Sequence, residues 1–437
     1  MIPIFRNHFL INKYANDKLI DKILKKYYNN KIRTKKRSGT MINKTMYEYG
    51  SNSSKIRELF EYGKKRKAEI GEDLVFDFSL GNPSVPSPNI VNETLIKLIK
   101  ESEPTILHGY TSGPGDLSVR KSIVEYLNNK YQTNYDSSLM YLTVGAAASL
   151  TISLNAVLNP GDEVIVLAPF FPEYKVFIEK AGGKTIIVKS IEGSFQPDFE
   201  ELSKSINVNT KAIIINSPNN PTGVILSLET IKTLSSLLKQ KQEEYQTTIF
   251  LISDEPYREL VYGDIEVPVV SKYYDNTIIC YSFSKSLSIP GERIGYVLVN
   301  NDCINAKEVY YSICGAGRSL GFVCAPALFQ HMIPSCLGYT ADLETYKKNR
   351  DILYNALTSY GYTLAKPDGA FYLFMKALGN SALEFSEKAK EYELLLVPSD
   401  SFGYEGYIRI SYCVSTKQIE NSLPAFKKLI DSYNNEE

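Results

Sequence analysis

The sequence predicts an α/β protein: a large domain built on a mainly parallel sheet of seven strands flanked by helices, followed by a smaller α+β domain. Three observations carry this. Short apolar, β-branched runs recur through the middle of the chain, at 140–144, 163–167, 185–188, 212–215, 248–252, 277–281 and 295–299. Helical stretches such as 226–239 fall between them, and continuous apolar strands alternating with helices mean a sheet covered on both faces. After about residue 326 the texture changes to long polar helices (343–359) and a few strands, around 369–374 and 407–410.

The 437 residues suffice for two domains. The expected boundaries are a basic, poorly ordered extension over 1–40, a segment over 41–85 that packs with the small domain, the large domain over 86–325 and the small one over 326–437. The extension is set apart by cationic runs such as Lys25-Lys26 and Arg33 to Arg37. Its early apolar residues are broken by Pro3, Arg6 and His8, a poor signal-peptide core, and Asp17 and Asp21 argue against a transit peptide. Met41 is an alternative start. Behind it, Ile56, Leu59 and Phe60 follow Ser53-Ser54 at helical spacing.

Composition excludes several classes. Forty-nine basic residues balance 49 acidic ones, so neither nucleic acid nor an anionic membrane is demanded as partner. No apolar run approaches the roughly 20 residues that span a bilayer. The six cysteines are scattered, form no C-x-x-C pair, and meet only three histidines, so no metal cluster is expected. Single cysteines in so long a chain read as small buried hydrophobes in a reducing cytosol, hence a cytoplasmic location.

Ligands of open α/β sheets bind beyond the C-terminal ends of the strands, so the residues at those ends are the candidates. Tyr281 is followed by Ser282-Phe283-Ser284-Lys285-Ser286, with Arg293 close behind. Lysine forms Schiff bases with aldehydes and shifts its pKa readily when desolvated. Ile252 is followed by Ser253-Asp254-Glu255-Pro256-Tyr257, and Ile215 by Asn216-Ser217-Pro218-Asn219-Asn220-Pro221-Thr222-Gly223. Val144 is followed by Gly145-Ala146-Ala147-Ala148-Ser149, small residues that let a phosphate approach the free N–H groups at the start of a helix.

Together, Asn-Pro-Thr-Gly, Asp-x-x-Tyr, Ser-x-Ser-Lys and the following arginine resemble the class I, fold-type I aminotransferases that depend on pyridoxal phosphate, the aspartate aminotransferases among them. The resemblance takes in Leu80-Gly81-Asn82-Pro83, His108-Gly109-Tyr110, Pro169-Phe170-Phe171, the run Pro367 to Tyr372 and Arg409-Ile410-Ser411, and covers the chain from Met41 onward. It implies a role for each matched position. Lys285 would carry pyridoxal phosphate and then move the substrate proton. Asp254 would pair with the pyridine nitrogen, while Asn220 and Tyr257 would bond the ring's phenolic oxygen. Backbone at Ala146 and Ala147, Ser282 and Arg293 would hold the phosphate, helped by Tyr110 from a neighbouring subunit of a homodimer. Phe171 would stack on the ring; many members have Trp or Tyr there, and Phe offers no polar edge. Arg409 would clamp the substrate α-carboxylate, with Gly81 and Asn220 beside it, and Arg318 is a candidate for the distal carboxylate of aspartate, glutamate or 2-oxoglutarate.

The implied activity is transfer of an amino group between an L-amino acid and a 2-oxo acid. Alternatives on the same scaffold are a β-lyase or synthase, which the cofactor motifs do not separate, and a non-enzymatic regulator that binds the same cofactor. For the last, residues 1–40 are too short for a complete helix-turn-helix module.

Overall fold

The computed structural model describes residues 42–51 and 54–435. Its contacts divide the chain after Ser53. Of the first unit, the described part is a short helix, Lys44–Ser51. The expected extension over 1–40 and Met41 lie outside the described residues.

The second unit opens with the helix Lys55–Ile70, whose first turn is capped by the Ser54 hydroxyl accepting from the Arg57 N–H at 3.4 Å. Leu59 on this helix buries against Val397 and Phe402, far along the chain. A two-residue strand follows, β1 (Phe76–Asp77). Then come β2 (Met140–Thr143), β3 (Glu163–Ala168), β4 (Lys184–Lys189), β5 (Thr210–Asn216), β6 (Phe250–Asp254), β7 (Thr277–Ser282) and β8 (Gly295–Val299).

These seven strands form one sheet in the order β2-β8-β7-β6-β5-β3-β4. Only β8 runs against its neighbours β2 and β7; the other ladders are parallel. The expected α/β class with a mainly parallel seven-stranded sheet is thus observed. Alternate side chains serve opposite faces. On one side Val166, Ile214, Ile252 and Val297 meet the helices Ala146–Val157 and Ala306–Leu320. On the other, Ile213 and Leu251 meet the helix Leu228–Tyr245, while Met140 and Leu298 meet Leu117–Tyr131. With each fully buried aliphatic side chain contributing about 1.5–3 kcal/mol, both faces hold the sheet rigidly beneath whatever its edge carries.

The helix expected over 226–239 spans Leu228–Tyr245. Ser227 fixes its start by accepting from the Thr230 N–H at 3.0 Å, and its polar last turns carry no apolar stripe to read.

The remaining strands are β9 (Tyr372–Lys376), β10 (Leu394–Leu395), β11 (Val397–Pro398) and β12 (Tyr407–Ser411). β1 pairs in parallel with β10, and β11-β12-β9 form an antiparallel sheet. Helices Leu343–Tyr360 and Thr416–Asn434 cover that sheet with Leu353, Leu357, Phe426 and Leu429. The strand expected from residue 369 starts at Tyr372, because Ala370 takes a left-handed φ of 53° and its N–H bonds the Leu260 carbonyl at 2.9 Å. We propose domain boundaries at 85/86 and 325/326; the helix Ala327–Cys336, just past the second, packs with Met140 and Leu142. All six cysteines are free. Among the described residues no helix is long and apolar enough to cross a membrane, and no group of three His, Cys, Asp or Glu could hold a metal.

Candidate active site

Strand register assembles the site. Asn216, the last residue of β5, lies opposite Asp254, the last of β6, which lies opposite Cys280 on β7. Parallel neighbours end together, so the segments that leave them converge on one edge. There a cavity of about 290 Å³ opens. Its wall includes Gly81, Ala146, Ala147, Phe171, Asn220, Asp254, Tyr257, Ser282, Lys285, Arg293 and Arg409, together with Ile56, Leu80 and Tyr372. Every expected site residue is there except two. Tyr110 is fully exposed, at 101%. Arg318 is exposed in the last turn of Ala306–Leu320. Neither lines the cavity.

Lys285 sits on the short helix Phe283–Ser286, just past β7. Its Nζ donates to the Gly81 carbonyl at 2.8 Å and lies 5.4 Å from the centre of the Phe371 ring. Burial lowers its ammonium from 10.5 to about 8; neighbouring Cys413 opposes this, while Arg293 and Arg409 add to it. The amine is therefore within reach of its neutral, nucleophilic form near neutral pH.

Asp254 is 4% exposed. Its Oδ2 accepts from the Tyr174 hydroxyl and, at 3.4 Å, from Asn216 Nδ2, which also donates to the Asp254 carbonyl at 2.9 Å. Its Oδ1 is buried with no partner among the described residues. Burial lifts this carboxyl from 3.8 to about 7, with Tyr174 pulling it down and Glu255 pushing it up.

Arg409, on β12, is 2% exposed and its Nη2 donates to the Ser79 carbonyl at 2.5 Å. Its Nη1 donates to Asn220 Oδ1 at 3.3 Å, while its Nε has no partner among the described residues. The guanidinium lies over Tyr372, whose hydroxyl is 2.9 Å from that of Tyr257. A Cβ on Gly81 would meet the Tyr372 hydroxyl at 2.1 Å, so only glycine lets the backbone come this close.

Opposite, the helix Ala146–Val157 starts at Gly145 with no side chain capping its free N–H groups. Gly145 has φ +95° and a Cβ there would meet Arg293 Nη2 at 2.7 Å, so glycine serves both the turn and the close approach of the guanidinium. Arg293 itself holds a left-handed φ of 53°, a conformation costly for a non-glycine residue, and its Nη1 donates to the Pro290 carbonyl at 2.8 Å. Ser282 and Ser284 bond each other through their hydroxyls at 2.6 Å. The lining thus carries Lys285, Arg293 and Arg409 against the single carboxylate of Asp254, an excess of positive charge suited to an anionic ligand.

Sequence reasoning missed Tyr174, the second partner of Asp254, and gave Asn216 and Tyr372 no role. Asn216 left a signal: a polar residue closing an otherwise apolar strand. Tyr174 left none, since nothing local says which strand end its helix, Glu173–Lys180, backs onto.

The family model described as aminotransferase class I and II matches residues 74–426. A probable N-acetyl-LL-diaminopimelate aminotransferase of Bacillus subtilis is 32% identical over 363 residues, 80% of this chain and 88% of its own. An aspartate aminotransferase of Thermotoga maritima is 30% identical over 384 residues, 86% of this chain and 97% of its own. Among solved structures, an amino transferase of Eubacterium rectale superposes with a TM-score of 0.89 at 53% identity, covering 91% of this chain and all of that one.

Proposed function

This chain belongs to the class I and II aminotransferase family, enzymes that transfer amino groups with pyridoxal phosphate, and on that premise we propose that the cavity at Lys285 is its active site, acting on an L-amino acid and a 2-oxo acid. The observation that carries this is the unpartnered, buried Asp254 Oδ1 in one cavity with the Lys285 amine and the Arg409 guanidinium.

The residues present fit pyridoxal phosphate. The orphaned Oδ1 is an acceptor for a pyridine N–H. The N–H groups of Ala146 and Ala147, the Ser282 hydroxyl and Arg293 would hold the phosphate, and a Cβ on Gly145 would press on the Arg293 guanidinium. Phe171 offers a ring face, and Asn220 and Tyr257 offer donors to the phenolic oxygen. When bound, the cofactor supplies an electron sink for the charge left at the substrate Cα.

The chain's own residues do the rest. Arg409 takes the α-carboxylate, with Asn220 steadying the guanidinium and Gly81 giving close backbone approach. Lys285 Nζ is the base that removes the Cα proton and later returns one, and its lowered pKa serves that exchange near neutral pH. Asp254 holds a proton at the pyridine nitrogen. Reaction of the cofactor-loaded protein with each common amino acid, followed by absorbance, tests this: turnover should require a 2-oxo acid acceptor. Release of pyruvate and ammonia without an acceptor would assign lyase chemistry.

For the donor we propose aspartate, the substrate in the name of the Thermotoga maritima relative, with 2-oxoglutarate as the acceptor that the sequence resemblance implies. Arg318 lies outside this cavity, and we propose that it serves a distal carboxylate in a second subunit. Arg318→Ala should lower kcat/KM for aspartate and glutamate by about 2–3 kcal/mol and leave alanine nearly unchanged. An equal loss for both substrate types assigns Arg318 to structure.

The bare Tyr110 side chain fits a homodimer in which it reaches the partner's phosphate site. Sedimentation at assay concentration should show a dimer, and Tyr110→Phe should weaken cofactor binding without dissociating it. A fully active monomer ends this reading.

A further inference from the structure

We propose that Tyr174, which does not line the cavity, is the positioning residue for Asp254: by donating its hydroxyl to Oδ2 it leaves Oδ1 as the oxygen free to meet the pyridine nitrogen. The inference rests on the role assigned to Asp254 above and deepens it.

The geometry is asymmetric. Oδ2 receives both donors, Tyr174 and Asn216, and Oδ1 receives none among the described residues. Donors held on Oδ2 favour the carboxylate orientation that offers Oδ1. Tyr174 suits this task because it is fully buried and its phenol is pushed well above its ordinary value, first by burial and then by Asp254. It therefore remains a donor at any working pH. The same ring meets Phe171 edge-on, centroids 5.7 Å apart at 85°. One side chain thus supports both the charge partner and the stacking face expected of the cofactor site.

Charge favours the same assignment. The groups facing Asp254 are Tyr174 on the helix Glu173–Lys180, Asn216 on β5, Cys280 on β7, and Glu255 and Tyr257 on its own segment. Cys280 is held neutral by burial, and Glu255 is held by Arg258 at 2.5 Å. Among these groups Tyr174 is the one whose contact lowers the Asp254 carboxyl. Removing its hydroxyl raises that pKa further, so a larger share of Asp254 is neutral at pH 7 and the share falls again at higher pH.

The test is titration of the full-length apoenzyme with pyridoxal phosphate, followed by absorbance from pH 6 to 9. It compares wild type, Tyr174→Phe, Asp254→Asn and the double variant. Tyr174→Phe keeps the ring against Phe171 and should weaken cofactor affinity about 10- to 100-fold at pH 7, the range for a hydrogen bond to a charged group. The deficit should narrow toward pH 9. In the Asp254→Asn background the same change should cost less than about twofold, because the carboxylate it serves is gone. Unchanged affinity in Tyr174→Phe, an equal penalty in both backgrounds, or loss of the fold makes Tyr174 a structural residue and overturns the proposal. Full affinity and activity in Asp254→Asn alone would instead reject the role of Asp254 on which it rests.

Discussion

Replacing Lys285 by alanine should reduce turnover by about 10⁴-fold or more, the upper end of what a positioned general base contributes, while the protein stays folded. Among the described residues no other amine lines the cavity, and Arg293 and Arg409 cannot act as bases near neutral pH. Stability should move the other way. In the folded chain the Lys285 ammonium is lowered from 10.5 to about 8. The unfolded chain then binds more protons between those values, so this group opposes folding most fully below about pH 8 and less as pH rises toward 10.5. Lys285→Ala apoenzyme should therefore melt no lower than wild type at pH 7, and any gain should shrink by pH 10. Thermal unfolding at the two pH values, beside single-turnover absorbance with an amino acid, reads both effects. Near-normal turnover would remove Lys285 from the mechanism.

That opposition between function and stability bears on what the sequence could reveal. The seven central strands were legible because burial on both faces leaves short apolar runs, such as 212–215 in β5 and 296–299 in β8. The lining of the cavity was legible because parallel strands end together, so residues just past Ile215, Ile252 and Tyr281 converge on one edge. The partners that tune those residues were not. Tyr174 meets Asp254 across 80 positions of sequence, and Tyr372 meets Tyr257 across 115. Such pairs are set by how helices pack on the sheet, which no local pattern encodes. Ends set by a single cap, such as Ser227, or by a backbone bond, such as Ala370 to Leu260, were displaced for a related reason: apolar periodicity marks the middle of an element better than its limits.

Asp254→Asn should be the second severe variant, with loss of at least about a thousandfold in rate, roughly 4 kcal/mol of barrier. Asparagine fills the same space and keeps an oxygen for Tyr174, so packing at the end of β6 should survive. The negative charge does not. Without it the site would offer no anionic partner to a pyridine nitrogen, and bound pyridoxal phosphate would be a poor sink for charge at the substrate Cα. The stability consequence again has a definite sign. Burial lifts the Asp254 carboxyl from 3.8 to about 7 in the folded chain. The folded state thus binds more protons than the unfolded state across that window, and wild-type stability falls as pH rises through it. Asp254→Asn lacks this slope. Its apoenzyme should melt at or above wild type at pH 8, and the difference should diminish toward pH 4. A variant within about threefold of wild-type rate would show the sink charge lies elsewhere, and a lower melting point at every pH would make Asp254 a structural carboxylate. Slow turnover with undiminished stability at pH 8 is the pattern expected of a charge kept for chemistry at the cost of the fold.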